Sequence, residues 1–460
     1  MFNSFKIFVL ILWVVLISGA VKSQAQSFKL MRFDEDYSTW GDSVKTLYNS
    51  IKFLPFSKDK RMFFSFGGEA RLEYVAFNNE DWGRLGTGHN NFLLQRYDLH
   101  TDIHFADRIR VFLQLRSALQ GGRKNGSRPV DQDELNIQNL FIDFRAWKKA
   151  DKSLNLRIGK QEMDYGSGRL ISVREGPNVR LYFTGAKLMY HSKKLSLDGF
   201  VMFADTINPG KFDNKRSKNI NLWGTYAKLI FPGTGNLDAY YIGIRRNESQ
   251  FEEGTNKEAR HTIGSRFWKN GGGLIYNLEA AYQFGKFGTK TISAWTASAE
   301  LGYSFEQTKF RPTINLRNDY ISGNKSPDGN QLNTFNPIYP KGGYFGFSPQ
   351  IGPVNLIDIH PYGNLTLNSK LMIQADIVFN WRYSLQDGVY RPGGTFNLGG
   401  SASDKRYIGT AYLLSAVYGI NKFINLNTGI QYFKTGSFIE DIIPGSKNGL
   451  FMNTRLVFKF

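Results

Sequence analysis

The sequence predicts an all-β protein, a transmembrane up-and-down antiparallel β-barrel of about 18 strands with long extracellular loops and short periplasmic turns. Three observations carry that expectation. From about Met62 onward, segments of roughly 10–15 residues alternate apolar with polar side chains, the period of a two-faced strand. The connections between these segments alternate between very short and long. The chain ends on Phe460, closing a strand in which Leu456, Phe458 and Phe460 share one face.

The leader comes first. Met1 to Ala25 reads as a signal peptide: Lys6 gives a positive start, Ile7 to Ile17 is an unbroken apolar run, and Ser23-Gln24-Ala25 sets small residues around a cleavage site near Ala25. Beyond residue 25 no apolar stretch approaches the ~20 residues of a spanning helix. A closed barrel is then the remaining way to cross a bilayer. The expected destination is the bacterial outer membrane of a Gram-negative cell. Residues 26–61 form a polar periplasmic lead-in, and 62–460 the barrel.

The strand pattern is plain at three places. In 108–116, Ile109, Val111, Leu113 and Leu115 oppose Arg108, Arg110, Gln114 and Arg116. Residues 92–105 and 371–383 repeat it. The other spans run from 62–77 to 447–460. Short links are expected at Asp107-Arg108, His191-Ser192-Lys193, Pro232-Gly233-Thr234, Asn368-Ser369 and Ile420-Asn421. Long polar connections are expected at 78–90, 122–133, 164–177, 206–218, 247–258, 322–352 and 386–405. A soluble Greek-key sandwich also alternates along its strands, but nothing in it requires this parity of connection lengths.

Composition agrees. Aromatic residues make up 15% of the chain, with 38 Phe and 23 Tyr, as the aromatic girdles of membrane barrels require. There is no cysteine, which excludes zinc-finger and thiol chemistry. Lys and Arg number 58 against 39 Asp and Glu, a formal charge of +19. That excess suits an anionic lipid or solute. Nucleic acid is excluded as a partner by export from the cytoplasm.

The expected lumen wall carries the chemistry. Its candidate pore-lining and substrate-binding residues are Arg71, Arg96, Arg108, Arg110, Arg116, Arg145, Arg157, Arg317, Arg382 and Arg455 on strands, with Arg169, Arg174 and Arg180 on one loop. Arginine keeps its charge and forks onto carboxylates, and charged rings on a pore wall set ion selectivity. Glu69, Glu73, Asp98, Asp143, Asp319 and Asp376 share these faces and are expected to neutralise part of that charge in cross-strand pairs. In loop 164–180, Gly166, Gly168 and Gly176 permit an inward fold that brings the arginines to a constriction. Asn324 to Lys341 reads as an outer loop or a lid.

No catalytic residue, metal ligand or cofactor is expected. Of six histidines, His100 and His104 share a strand face but stand too far apart for one metal ion. Gly166-Ser167-Gly168 has no His partner in view and no nucleophile elbow around it.

Two stretches resemble the alginate export family of Gram-negative outer-membrane proteins. The first is Arg32-Phe33-Asp34-Glu35-Asp36-Tyr37-Ser38. The second joins Gly159-Lys160-Gln161-Glu162, Tyr165-Gly166-Ser167-Gly168-Arg169-Leu170 and Arg174-Glu175-Gly176-Pro177-Asn178-Val179-Arg180. With the barrel pattern, the resemblance covers roughly residues 30–460, in a form like that of Bacteroidetes-type bacteria. It implies an 18-stranded barrel with an electropositive pore conducting a polyuronate or similar anion. The implied partners are outer-membrane lipid, an anionic poly- or oligosaccharide, and the barrel-assembly machinery, engaged through the strand ending at Phe460. The residues alone leave open a general anion or nutrient porin, an outer-membrane hydrolase and an adhesion barrel.

Overall fold

The computed structural model describes residues 28–42, 46–86, 88–348 and 350–460. The leader expected at residues 1–25 lies outside them. Eighteen strands form the wall. They are β1 (Met62–Asn78), β2 (His89–Phe105), β3 (Ile109–Gly121), β4 (Asp133–Lys149), β5 (Lys152–Gln161), β6 (Phe183–His191), β7 (Leu195–Thr206), β8 (Lys215–Phe231) and β9 (Gly235–Phe251). The second half comprises β10 (Gly254–Lys269), β11 (Leu274–Phe287), β12 (Lys290–Ser304), β13 (Thr313–Ile321), β14 (Leu356–Thr366), β15 (Leu371–Arg382), β16 (Tyr407–Gly419), β17 (Ile424–Thr435) and β18 (Gly449–Lys459).

Each strand pairs antiparallel with its neighbours in sequence, and β1 closes on β18 with Ala70 opposite Phe458 and Leu72 opposite Leu456. Closure leaves no free edge, so every ladder group in the bilayer has a partner. The alternation sorts the faces. Leu99, Ile142, Ile158, Val201 and Ile314 are exposed on the outer wall, whereas Arg96, Asp98, Arg116 and Asp319 are buried on the inner one.

Periplasmic turns are short. Ala106, at φ 52°, reverses the chain between β2 and β3, and Ala150, at φ 51°, does so between β4 and β5. The expected long connection at 247–258 is not a loop. Strands β9 and β10 continue through it to a turn at Glu252-Glu253, with one bulge between Arg246 and Ser249. Polarity there marks a strand that has left the bilayer rather than the end of pairing. The extension is held from inside, where Phe251 packs near Tyr390 and the Glu252 N–H donates to the Tyr390 hydroxyl at 3.1 Å.

The lead-in also departs from a simple periplasmic tail. Its turn Arg32–Asp34 enters the lower mouth of the barrel. Phe33 sits edge-on against Phe112 and Phe141, at 5.7 and 5.2 Å between ring centres. Arg157 lies over the Phe33 ring at 4.5 Å. Arg32 donates to the carbonyls of Gly68 and Phe460, each at 2.8 Å, and Arg110 donates to the carbonyl of Phe33 at 2.6 Å. Helix α1 (Leu47–Lys52) follows, capped by the Thr46 hydroxyl. Phe33 is the apolar centre of this docking. Phe33→Ala is expected to weaken it by about 3–5 kcal/mol, as for other buried Phe truncations. Limited proteolysis between residues 34 and 53 should accelerate markedly while the barrel stays resistant; unchanged cleavage would show that Phe33 does not anchor the turn.

Candidate functional site: a lumen narrowed by loop 162–182

Between β5 and β6 the chain runs through residues 162–182 and crosses the lumen instead of standing outside it. Gly166 at φ 60° and Gly168 at φ 75° allow the inward bend. A Cβ on Gly166 would lie 2.5 Å from the Tyr226 hydroxyl, so only glycine lets the backbone approach the wall there.

One side of the loop is fixed to β7, β8 and β11–β13. Tyr165 stacks on Phe200 and Tyr226 and donates to Asp198 at 2.9 Å. Ser167 donates to Glu279 at 2.7 Å. Arg169 donates to Asp319 and to the Ser298 hydroxyl, each at 2.6 Å. The other side is fixed to β1–β3. Arg71 donates to the carbonyls of Glu175 and Pro177 at 3.0 and 3.1 Å. Arg96 pairs with Glu69 at 2.7 Å and with Glu175. The Asn178 amide donates to the carbonyls of Gln95, Leu119 and Asp131. Burial works against the Glu175 carboxylate, but Arg96 and Arg180 outweigh it and hold its pKa at about 2.

A second loop, 322–355, folds in beside the first. Tyr339 donates its N–H to the Leu170 carbonyl at 2.9 Å and accepts from the Ser172 N–H at 3.0 Å, and Lys341 donates to the Gly168 carbonyl at 2.8 Å. Its outer part is gathered by Asp387, which accepts from the Asn324 N–H, the Thr334 hydroxyl and the Tyr390 hydroxyl. The segment expected as an outer loop or lid at 324–341 is thus the second half of one constriction.

The thirteen arginines singled out from sequence occupy several different settings. Arg71, Arg96, Arg169 and Arg180 meet at the constriction, as buried clamps rather than open charges. Arg116 sits beneath them on Asp98 at 2.6 Å and near Glu162. Arg455 binds Glu73 at 2.8 Å, and Arg317 bonds His360 at 2.9 Å. Lower down, Arg110 and Arg157 pair with Asp102 and Asp143, each at 2.7 Å, and contact the docked turn. Arg382 faces loop 383–406 and donates to the carbonyls of Leu385, Gly400 and Ser403. Arg145 stands half-exposed near the lower end of β4.

Arg108 is a correction. It lies in the exposed periplasmic turn and not on the lumen wall, because Ala106 reverses the chain before β3 starts at Ile109. Arg311 likewise falls in the periplasmic connection after β12. Arg174 differs from the rest. Its guanidinium donates to the Pro340 carbonyl at 3.1 Å, and among the described residues no carboxylate pairs with it. Burial lowers its pKa to about 10, opposed by Tyr339, and it stays charged at neutral pH.

Sequence reasoning assigned no role to Glu162, Glu175, Glu279 or Arg246. The first two stand inside the quoted motifs. Their function depends on arginines from other strands, which spacing along the chain does not reveal. Ser167 is bonded to Glu279, not to a histidine.

The sequence profile described as alginate export matches residues 63–453. The chain belongs to the alginate export family. No curated protein matches its sequence. Among solved structures, OccAB1 of Acinetobacter baumannii is 15% identical, with 89% of this chain and 99% of that one covered and a TM-score of 0.57. A BenF-like porin from Pseudomonas fluorescens Pf-5 is 10% identical, with 86% and 98% covered and a TM-score of 0.58. OccD3 (OpdP) of Pseudomonas aeruginosa is 13% identical, with 86% and 91% covered and a TM-score of 0.55. At these identities the likeness shows the fold. This alginate export family member is an outer-membrane channel and not an enzyme.

Two outcomes are expected of its constriction. Arg169→Ala leaves Asp319 buried without its cation, a loss of about 3–5 kcal/mol for a broken buried pair. Single-channel conductance should rise and become noisier as loop 162–182 loosens; conductance equal to wild type would show that the pair does not hold the loop. The second outcome concerns pH. The Glu175 pKa is depressed from 4.5 to about 2, so its contribution is complete above about 4.5 and is lost as pH falls toward 2. Conductance should stay flat from pH 7 to 5 and rise only below that. A rise between pH 7 and 5 would assign the clamp to another group.

Proposed function

We propose that this channel conducts an anionic poly- or oligosaccharide, a polyuronate of the alginate type being the substrate class that best suits it. The observation that carries the reading is Arg174. At the constriction, Arg71, Arg96, Arg169 and Arg180 each face a carboxylate. Arg174 does not. Arg246, paired with Glu258 at 3.3 Å, lies near it and reaches the Ile338 carbonyl of the second loop. A passing carboxylate therefore meets a cation already desolvated by its surroundings, where electrostatic attraction exceeds its value in bulk water. Membership of the family supports the same class of solute. The expected leader, with cleavage near Ala25, and engagement of the assembly machinery by Phe460 belong to this reading.

The neutralised state of the remaining arginines favours a second reading, a porin for small anions. One experiment addresses both. Reversal potentials in a KCl gradient should show anion preference. Arg174→Ala should reduce it by about fivefold, the equivalent of ~1 kcal/mol for one partly screened charge. Oligouronates should then block the current where neutral oligosaccharides of equal length do not. Cation preference would overturn both readings. Anion preference without oligouronate block would favour the small-anion porin.

A further inference from the structure

The outer wall carries a feature that transport does not use. On the lipid side of β8–β12 the register aligns residues in rows across the strands. One row sets Arg245 opposite Ala259 and Ala259 opposite Lys286. Lys257 stands two residues further along β10. Arg245, Lys257 and Lys286 are all exposed, and they lie at the extracellular ends of their strands. Among the described residues, none of the three forms an ion pair. The one polar side-chain contact is from Lys286 to the Thr291 hydroxyl, at 3.0 Å. Glu248, in the bulge of β9 beside Lys257, is exposed and unpaired as well. With strands about 4.8 Å apart, Arg245 and Lys286 are separated by roughly 10 Å, and Lys257 lies about 7 Å beyond their row.

The next rows toward the bilayer centre are rich in aromatic rings. Trp223, His261 and Phe284 follow first, with Ser293, then Thr225, Tyr241, Ile263, Tyr282 and Trp295. Below them comes a row of small residues, in which Ala227 faces Ala239, Ser265 faces Ala280, and Ala280 faces Ala297. The wall is indented there. A groove of about 790 Å³ runs across β8–β12, floored by these alanines and walled by Tyr241, Tyr282 and Trp295. Other strands carry large outward side chains such as Leu99, Ile158 and Val201, and a second indentation of about 590 Å³ crosses β13–β17 without the row of cations.

We propose that this face is a binding site for a phosphorylated glycolipid of the outer leaflet. Its phosphates lie among Arg245, Lys257 and Lys286, and an acyl chain fills the alanine groove. Charge and shape both select this occupant. Unpaired cations at the headgroup level attract phosphate, each being worth about 1 kcal/mol near an anionic surface. A groove directly below them accepts a chain attached to that same headgroup. A free phosphate would use the cations and leave the groove unexplained. A second copy of the chain would cover the groove while burying cations without partners.

The test uses the purified full-length barrel in detergent, with bound lipid counted by native mass spectrometry. Three probes are titrated: a diphosphorylated glycolipid, the same lipid with its phosphates removed, and inorganic phosphate. The diphosphorylated lipid should bind at least tenfold tighter than the dephosphorylated one. The triple variant Arg245→Gln, Lys257→Gln, Lys286→Gln should lose about 100-fold, three charges at the tenfold-per-1.4 kcal/mol conversion. Ala280→Leu, which fills the groove, should weaken both lipids and preserve their ratio. Heat-modifiable migration on gels reports folding. If the triple variant fails to fold, Lys257→Gln alone, at about a fivefold loss, and the two lipids on wild type still decide. Equal binding of the two lipids, an unaffected charge variant, or competition by inorganic phosphate at lipid-like concentrations would overturn the proposal. So would concentration-dependent dimerisation abolished by Ala280→Leu.

Discussion

Glu175 meets Arg71, Arg96 and Arg180 where loop 162–182 reaches the β1–β3 wall, and the narrowing of the lumen rests on that meeting. An 18-stranded barrel encloses more space than its side chains fill. Loop 162–182 buries Met163, Leu170, Ile171 and Val173 in that space. Charge fixes the rest of it. Arg71 and Arg96 project from rigid strands, so the loop carboxylate meets donors already in place and loses little further freedom. A carboxylate removed from water this far is tolerable only because its cations surround it.

The same arginines tie the interior into one body. Arg180 donates to Glu162, sits beside Glu175 and reaches the Leu30 carbonyl of the docked turn. Loop 322–355 is stitched to the first loop through Tyr339 and Lys341. Movement of any one of these pieces breaks hydrogen bonds in the others.

Much of this was readable from the chain. Period-two alternation survives in every strand because one face meets lipid and the other a polar lumen, and the lumen side of Arg71, Arg96, Arg116 and Arg157 followed from it. The inward bend of loop 162–182 followed from its glycines. Pairing did not follow. Whether Arg169 is free or bound depends on Asp319, which lies 150 residues away in sequence and becomes its neighbour only when the barrel closes. The residues at 247–258 misled for a physical reason: a strand above the bilayer has polar residues on both faces, and its composition then equals that of a loop. The docked turn carried one local hint, an aromatic at Phe33 among charges, with nothing in the sequence to name Phe112 and Phe141 as its receptor.

Arg32 sits at the seam of the barrel. It donates to Gly68 of β1 and to Phe460, just beyond β18, while Gly68 and Phe460 exchange backbone hydrogen bonds with each other at 3.0 and 3.1 Å. Half of this receptor follows β18, which is synthesised after the N-terminal turn. The N-terminal turn, although made first, has no complete place to dock until the first and last strands have paired. Its docking is accordingly a late event in biogenesis, and the seated turn is a chemical record that the cylinder is finished.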